Sequence, residues 1–266
     1  MKTTRSIVVA ALSAALMFSA TASAAQPTDI VGGWRLTNSP GVSTIVSFLG
    51  NGTYFHAEDQ MSPAFDQSGQ NGMERGTFSW NSVSGAFSSV TLVDTNGQWG
   101  LSHPQGPVTV SVSGNLLTLT DFGGAYVFER VVSPTNAIVG SWRSPGTSAI
   151  VSFLANGTYF HAEDQMSPAF DPSGQNGMER GTFSWNSVSG AFSSVTLVDT
   201  NGQWGLSHPQ GPVTVSVSGN LATLTDFGGA YVFERVAPIP EPESYAMLLA
   251  GMAMLAFVAR RRKQST

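Results

Sequence analysis

Two short polar runs, His56-Ala57-Glu58-Asp59 and His161-Ala162-Glu163-Asp164, hold the residue types that metal binding or acid–base chemistry requires. On a strand, His56 and Glu58 project from one face and Asp59 from the other, so at most two of the three can reach one metal ion. A third ligand such as His103, or His208 in the second run, would have to come from elsewhere in the chain. The pattern therefore predicts a solvated strand end running into the loop 60–72, with no metal and no cofactor.

Other candidate chemistry is sparser. Glu58 and Glu74 have the types of a glycosidase carboxylate pair, but nothing in the sequence sets the 5 or 9 Å separation (approximate values) that such catalysis needs. Asp94-Thr95-Asn96-Gly97 and its copy Asp199-Thr200-Asn201-Gly202 begin like a calcium loop, yet lack the later acidic ligands and closing Glu, which predicts a turn. No serine lies in a Gly-x-Ser-x-Gly elbow, and the chain is poor in ionisable residues, so enzymatic chemistry has few participants. Tyr54, Trp80, Trp99, Phe122 and Tyr126, interleaved with Ser, Thr and Asn, could stack on sugar rings or line a small-ligand calyx. The candidate ligand-binding set is Tyr54, His56, Glu58, Trp99 and His103, with Tyr159, His161, Glu163, Trp204 and His208 as their copies. The plainer expectation for these aromatics is a core.

Every candidate occurs twice because the chain is duplicated. Residues 39–131 and 144–236 are identical at 88 of 93 positions, differing at Val42/Thr147, Thr44/Ala149, Gly50/Ala155, Gln67/Pro172 and Leu117/Ala222. The match extends upstream from Ile30–Arg35 to Ile138–Arg143. A period near 105 residues is a domain, which divides the body into 30–132 and 138–237 around a linker at 133–137. So close an identity predicts that whatever one copy binds, the other binds too. Without its ends the body holds six Arg, no Lys and fifteen acidic residues, a charge of −9. Such a surface cannot neutralise phosphates, which disfavours nucleic acid as a partner. The chain has no cysteine, so disulfides and thiolate chemistry are excluded.

The elements that must position these residues are strands. Short, alternating runs rich in Val, Thr, Phe and Leu fall near 30–36, 43–49, 53–59, 74–81, 87–94, 98–102, 107–113, 116–121 and 125–131. Asn51-Gly52, Asn96-Gly97 and Gly114-Asn115 supply turns that tolerate positive φ. The fold class is all-β: two tandem antiparallel up-and-down β-barrels of about eight strands, with two β-sandwiches as the alternative. A Gly-x-Trp on the first strand with an arginine on the last, Trp34 with Arg130 and Trp142 with Arg235, resembles the closure of lipocalin and avidin barrels. That resemblance implies that the arginine packs over the tryptophan where the barrel closes.

The ends give the destination. Lys2 and Arg5, the apolar run from Ile7 to Phe18 and the small residues Ala22, Ser23 and Ala24 make a secretory signal, cut by signal peptidase after Ala24. At the other end, Pro240, Glu241 and Pro242 precede sixteen uncharged residues, 244–259, and then Arg260, Arg261, Arg262 and Lys263. A helix of that length spans about 24 Å, a little short of a hydrocarbon core of about 30 Å, and makes a short transmembrane anchor where the bilayer thins or the cytoplasmic arginines snorkel. This order resembles the PEP-CTERM sorting signal of exported bacterial proteins. The resemblance implies recognition by an exosortase, transient membrane anchoring, and transfer to the surface or extracellular matrix of a Gram-negative, exopolysaccharide-producing cell. The expected role is non-catalytic, with carbohydrate or small-ligand binding as the alternative and a secreted hydrolase third.

Overall fold

A computed structural model describes residues 27–60, 70–133, 135–165, 174–236 and Met252. The signal segment with Ala24, the tail with Pro240, Glu241, Pro242, Arg260, Arg261 and Arg262, and the helix expected at 244–259 lie outside the described residues. Among the described residues no helix is long and apolar enough to cross a membrane.

The body is two closed barrels of eight antiparallel strands, each in sequential order. The first comprises β1 (Gly32–Leu36), β2 (Ser43–Phe48), β3 (Thr53–Asp59), β4 (Gly72–Trp80), β5 (Ala86–Asp94), β6 (Val108–Ser113), β7 (Leu116–Asp121) and β8 (Gly124–Arg130). The second comprises β9 (Gly140–Arg143), β10 (Ser148–Phe153), β11 (Thr158–Asp164), β12 (Gly177–Trp185), β13 (Ala191–Asp199), β14 (Val213–Ser218), β15 (Leu221–Asp226) and β16 (Gly229–Arg235). The sandwich alternative is therefore set aside in favour of the barrel. Closure leaves no sheet edge for the near-identical copies to exchange.

The stretch expected as a strand at 98–102 is instead a single 3-10 turn, Gly100–Ser102. Gly100 sits at φ +75°, and a β-carbon there would overlap Glu74 and His56, so the chain has to turn at this glycine. This insertion follows from weak pairing: β5 and β6 share only the pairs Ala86–Thr109 and Phe87–Val108. The seam opens beyond them, and the 3-10 segment fills it.

Each barrel closes between its first and last strands. Trp34 is opposite Arg130, whose guanidinium carbon lies 4.0 Å from the indole centroid, and the same separation relates Arg235 to Trp142. The Trp34 indole donates to Ile30 O at 2.8 Å, and Arg130 Nη1 donates to Val31 O at 2.7 Å, so the pair also ties down the entering chain. Gly32 lies at φ +144°, and any β-carbon there would press on Arg130.

The barrels are joined by more than a linker. Side chains of β2 and β3 alternate, and the outward set Ile45, Phe55 and Ala57 meets Ile150, Phe160 and Ala162 in one buried cluster. Both faces of β2 and β3 are therefore covered, which explains why their outer faces centre on Ile45, Phe55 and Ala57 and why the polar Ser47 and Asp59 there bond to the other barrel. Around the cluster two ion pairs cross reciprocally, Arg75 to Asp164 and Arg180 to Asp59. The arrangement is that of a two-fold dimer contained in one chain.

Candidate functional site

Tyr54, His56 and Glu58 alternate along β3 and face the barrel interior, with Glu74 opposite His56 on β4. His56 Nε2 lies 3.3 Å from Glu58 Oε2, and its Nδ1 lies 3.7 Å from Glu74 Oε1. The second copy repeats this at 3.4 and 3.7 Å between His161 and Glu163 and Glu179. All three groups of the first copy are buried, so the run is not the solvated strand end that its polarity predicts. Barrel closure turns this strand face inward, and buried charge persists only where partners satisfy it. Here Gln70 donates to Glu58, while Ser102 Oγ at 3.1 Å and Tyr54 Oη at 3.4 Å donate to Glu74.

Burial works against the charge on His56, but the flanking Glu58 and Glu74 more than offset it and push its pKa up to about 10. The same balance raises His161. Burial also opposes ionisation of Glu58, yet His56, Gln70 and Thr44 hold its carboxyl below the usual range. Burial and Glu74 push Tyr54 up, and Tyr159 follows through burial and Glu179.

The remaining candidates distribute differently from the sequence pattern. Asp59 points out of the barrel to Arg180. His103 is half exposed, with Nδ1 2.8 Å from Ser102 Oγ and 3.9 Å from Asp94, so Ser102, not His103, completes the surroundings of Glu74. Among the described residues no group of three or more His, Asp or Glu is placed to hold a metal ion. Glu58 and Glu74 do converge, but on opposite nitrogens of one histidine. Asp94–Gly97 is a turn in which Asn96 N donates to Asp94 Oδ1 at 3.1 Å. Trp80 donates to Val110 O at 3.0 Å and packs with the core, whereas Phe122 is exposed.

The second barrel encloses a cavity of about 880 Å³. Val151, Phe153, Val215, Ala222, Leu224 and Phe233 form its apolar wall. His161, Glu163, Gln175, Asp226 and Tyr231 bring polar atoms to it, and the segment Gly202–Gln210 with Trp204 and His208 forms one side. Of the second-copy candidates, His161, Glu163, Trp204 and His208 line the cavity; Tyr159 stands behind it, bonded to Thr196 at 2.6 Å and Glu179 at 3.4 Å.

The first barrel carries larger side chains at two of these interior positions. Leu117, the counterpart of Ala222, is fully buried in the cluster with Trp34, Val110 and Phe128. Thr44, the counterpart of Ala149, is buried opposite Glu58. Accordingly Leu119 and Phe128 are buried, whereas Leu224 and Phe233 are only half-buried. The two interiors thus differ in side-chain volume at these positions. The signal was present in the sequence, since Thr147, Ala149 and Ala222, three of the five differences, line the cavity.

Comparison with known proteins bears on the tail. Residues 238–263 match the model of the PEP-CTERM protein-sorting motif. The chain carries a PEP-CTERM sorting signal. The motif implies export, an exosortase as sorting partner and a surface or extracellular destination. A search of curated proteins finds no match. Among solved structures, the chain is similar to the DNA polymerase III β subunit of Thermotoga maritima, at 11% identity and a TM-score of 0.14. That match covers 84% of this chain and 60% of the other. A DNA polymerase sliding clamp of Pseudomonas aeruginosa matches at 8% identity and a TM-score of 0.14, over 84% of this chain and 61% of the other. The PEP-CTERM chain thus spans about three fifths of the clamps it matches, and scores this low carry no argument about its fold or partners.

Proposed function

We propose that the protein is an exported, non-catalytic binding protein of the cell surface or extracellular matrix, with its second barrel as the ligand-holding module. The cavity of about 880 Å³ carries this reading: it has the size and the apolar wall with few polar groups typical of small-ligand sites. A secreted hydrolase is less well supported, because His161 has a carboxylate at each nitrogen and Glu179 is fully buried, leaving little room for proton exchange with substrate. The sorting tail supports delivery into an exopolysaccharide matrix, after signal peptidase acts at Ala24 and an exosortase at Pro240, Glu241 and Pro242.

Two measurements test the reading. Mass spectrometry of the exported protein is expected to show loss of both ends, and an intact C-terminus at Thr266 would overturn sorting. Saturable uptake of the neutral probe N-phenyl-1-naphthylamine is expected, and its absence would overturn ligand binding.

A further inference from the structure

We infer that the ligand site is confined to the second barrel, that Ala149 and Ala222 determine it, and that it takes an amphiphile whose polar end donates hydrogen bonds, such as an alkyl amine or alcohol. The inference rests on the binding reading above and adds which barrel binds, through which residues, and what chemistry is accepted.

Relative to the first copy, Leu117 to Ala222 and Thr44 to Ala149 both remove side-chain volume from the barrel interior, and Val42 to Thr147 adds a hydroxyl to the cavity lining. The other two differences lie elsewhere: Ala155 is exposed beyond β10, and Pro172 lies outside the described residues. A core residue truncated without compensation leaves a void at a cost in stability. In the second barrel no neighbour has grown to refill the space, since every other described lining residue from Ser148 onward is identical to its counterpart. Occupation by a ligand would restore the lost contacts.

The lining also selects the polar end. Among the described residues it contains Glu163 and Asp226 but no Lys or Arg. Its buried histidine, His161, is already engaged by Glu163 and Glu179. His208 lies 2.7 Å from Ser207 Oγ and 3.9 Å from Asp199. A carboxylate head would therefore meet like charge from Glu163 and Asp226, with only neutral donors such as Thr147 and Tyr231 to receive it. A donor head finds acceptor oxygens, and the apolar wall takes its chain.

The test uses the exported protein with both barrels and follows displacement of N-phenyl-1-naphthylamine. The wild type should take up one probe per chain, released by dodecylamine or dodecanol at concentrations about tenfold or more below dodecanoate, a difference of about 1.4 kcal/mol or more. The double substitution Ala149→Thr/Ala222→Leu installs side chains that the first barrel already accommodates, and should weaken uptake about tenfold or more. Thr44→Ala/Leu117→Ala should raise the stoichiometry from one to two, a gain that misfolding cannot produce. Unchanged uptake in the filled variant, two probes on the wild type, or equal displacement by dodecanoate would overturn the inference while leaving ligand binding standing. No uptake by the folded wild type would defeat the binding reading and this inference together.

Discussion

The two barrels share strand order, closure and the buried His–Glu cluster, yet the second interior is wider where Ala149 and Ala222 stand in place of Thr44 and Leu117. They also face each other across a contact whose ion pairs are reciprocal. The comparison teaches that the duplication conserved the scaffold while the interior diverged, and that the copies hold each other rather than swing on the linker. Residues 133–137 connect the barrels, but the buried cluster and the crossed ion pairs fix their spacing. Bivalent capture through a flexible tether is thus a poor description of the pair.

The largest effect is expected where the reciprocity is broken. Asp59→Ala leaves the buried Arg180 guanidinium without its carboxylate and should cost about 3–5 kcal/mol in urea unfolding. Asp164→Ala removes both the partner of Arg75 and the acceptor for Ser148 Oγ at 2.8 Å, so its cost should be equal or greater. Loss of less than 1 kcal/mol (an approximate bound for an exposed pair) in both variants would mean that the barrels are not held by this contact.

Next comes the difference inside. Leu117→Ala should cost the first barrel about 2–5 kcal/mol, because its neighbours are already close-packed. Ala222→Leu should stabilise the second barrel or leave it unchanged, since the space exists. Equal destabilisation by both would show that the cavity is not an available void. Thermal unfolding of the two single variants beside the wild type makes the measurement.

How much of this could be read from the sequence depends on the element. The hairpins at Asn51-Gly52 and Gly114-Asn115 mark strand ends because their glycines adopt φ of 81° and 58°, a local property. The barrel closure was legible through a resemblance instead, because Trp34 and Arg130 stand on the first and last strands, 96 positions apart in the chain. The segment 98–102 was not, since its apolar residues mimic a strand and only the proximity of Gly100 to His56 and Glu74 requires a turn. Burial of His56 and Glu58 was also hidden, because polarity alone does not say which side of a strand becomes interior. A clue to the barrel contact did exist: Ile45, Phe55 and Ala57 put apolar side chains where a solvated face needs polar ones. Identical copies, however, cannot reveal that Asp59 pairs with the other copy's arginine.

Titration of the shared cluster should act on both barrels alike. His56 is raised from 6.5 to about 10, so its contribution to stability is complete below pH 6.5 and is lost as pH rises toward 10. His161 shifts in the same direction. Glu58, held low, contributes above its ordinary pKa of 4.5 and loses that contribution in acid. Stability measured from pH 6.5 to 10 should therefore fall by about 1–3 kcal/mol, the range of a buried charge-assisted hydrogen bond. His56→Gln combined with His161→Gln should flatten that slope. A profile unchanged by the double substitution would assign the alkaline loss to other groups.

The finest distinction lies on the axis between the barrels. Gly33 and Ser141 are equivalent positions, and the serine is accommodated because the other is glycine: a β-carbon on Gly33 would overlap Ser141 Oγ. That hydroxyl lies 2.6 Å from Ser152 Oγ and accepts from Ser47 Oγ at 3.3 Å, so one side chain occupies a place that symmetry offers twice. Gly33→Ser should cost about 1–3 kcal/mol through overpacking. Ser141→Gly should cost about 1 kcal/mol through the lost hydrogen bond. In the exchange Gly33→Ser/Ser141→Gly the hydroxyl enters from the opposite barrel, and most of the loss should be recovered, giving a coupling of about 1–2 kcal/mol in the double-mutant cycle. Additive losses would mean that the two sites are tuned separately. Recovery would mean that the copies have adapted to each other at their contact, as well as diverging within.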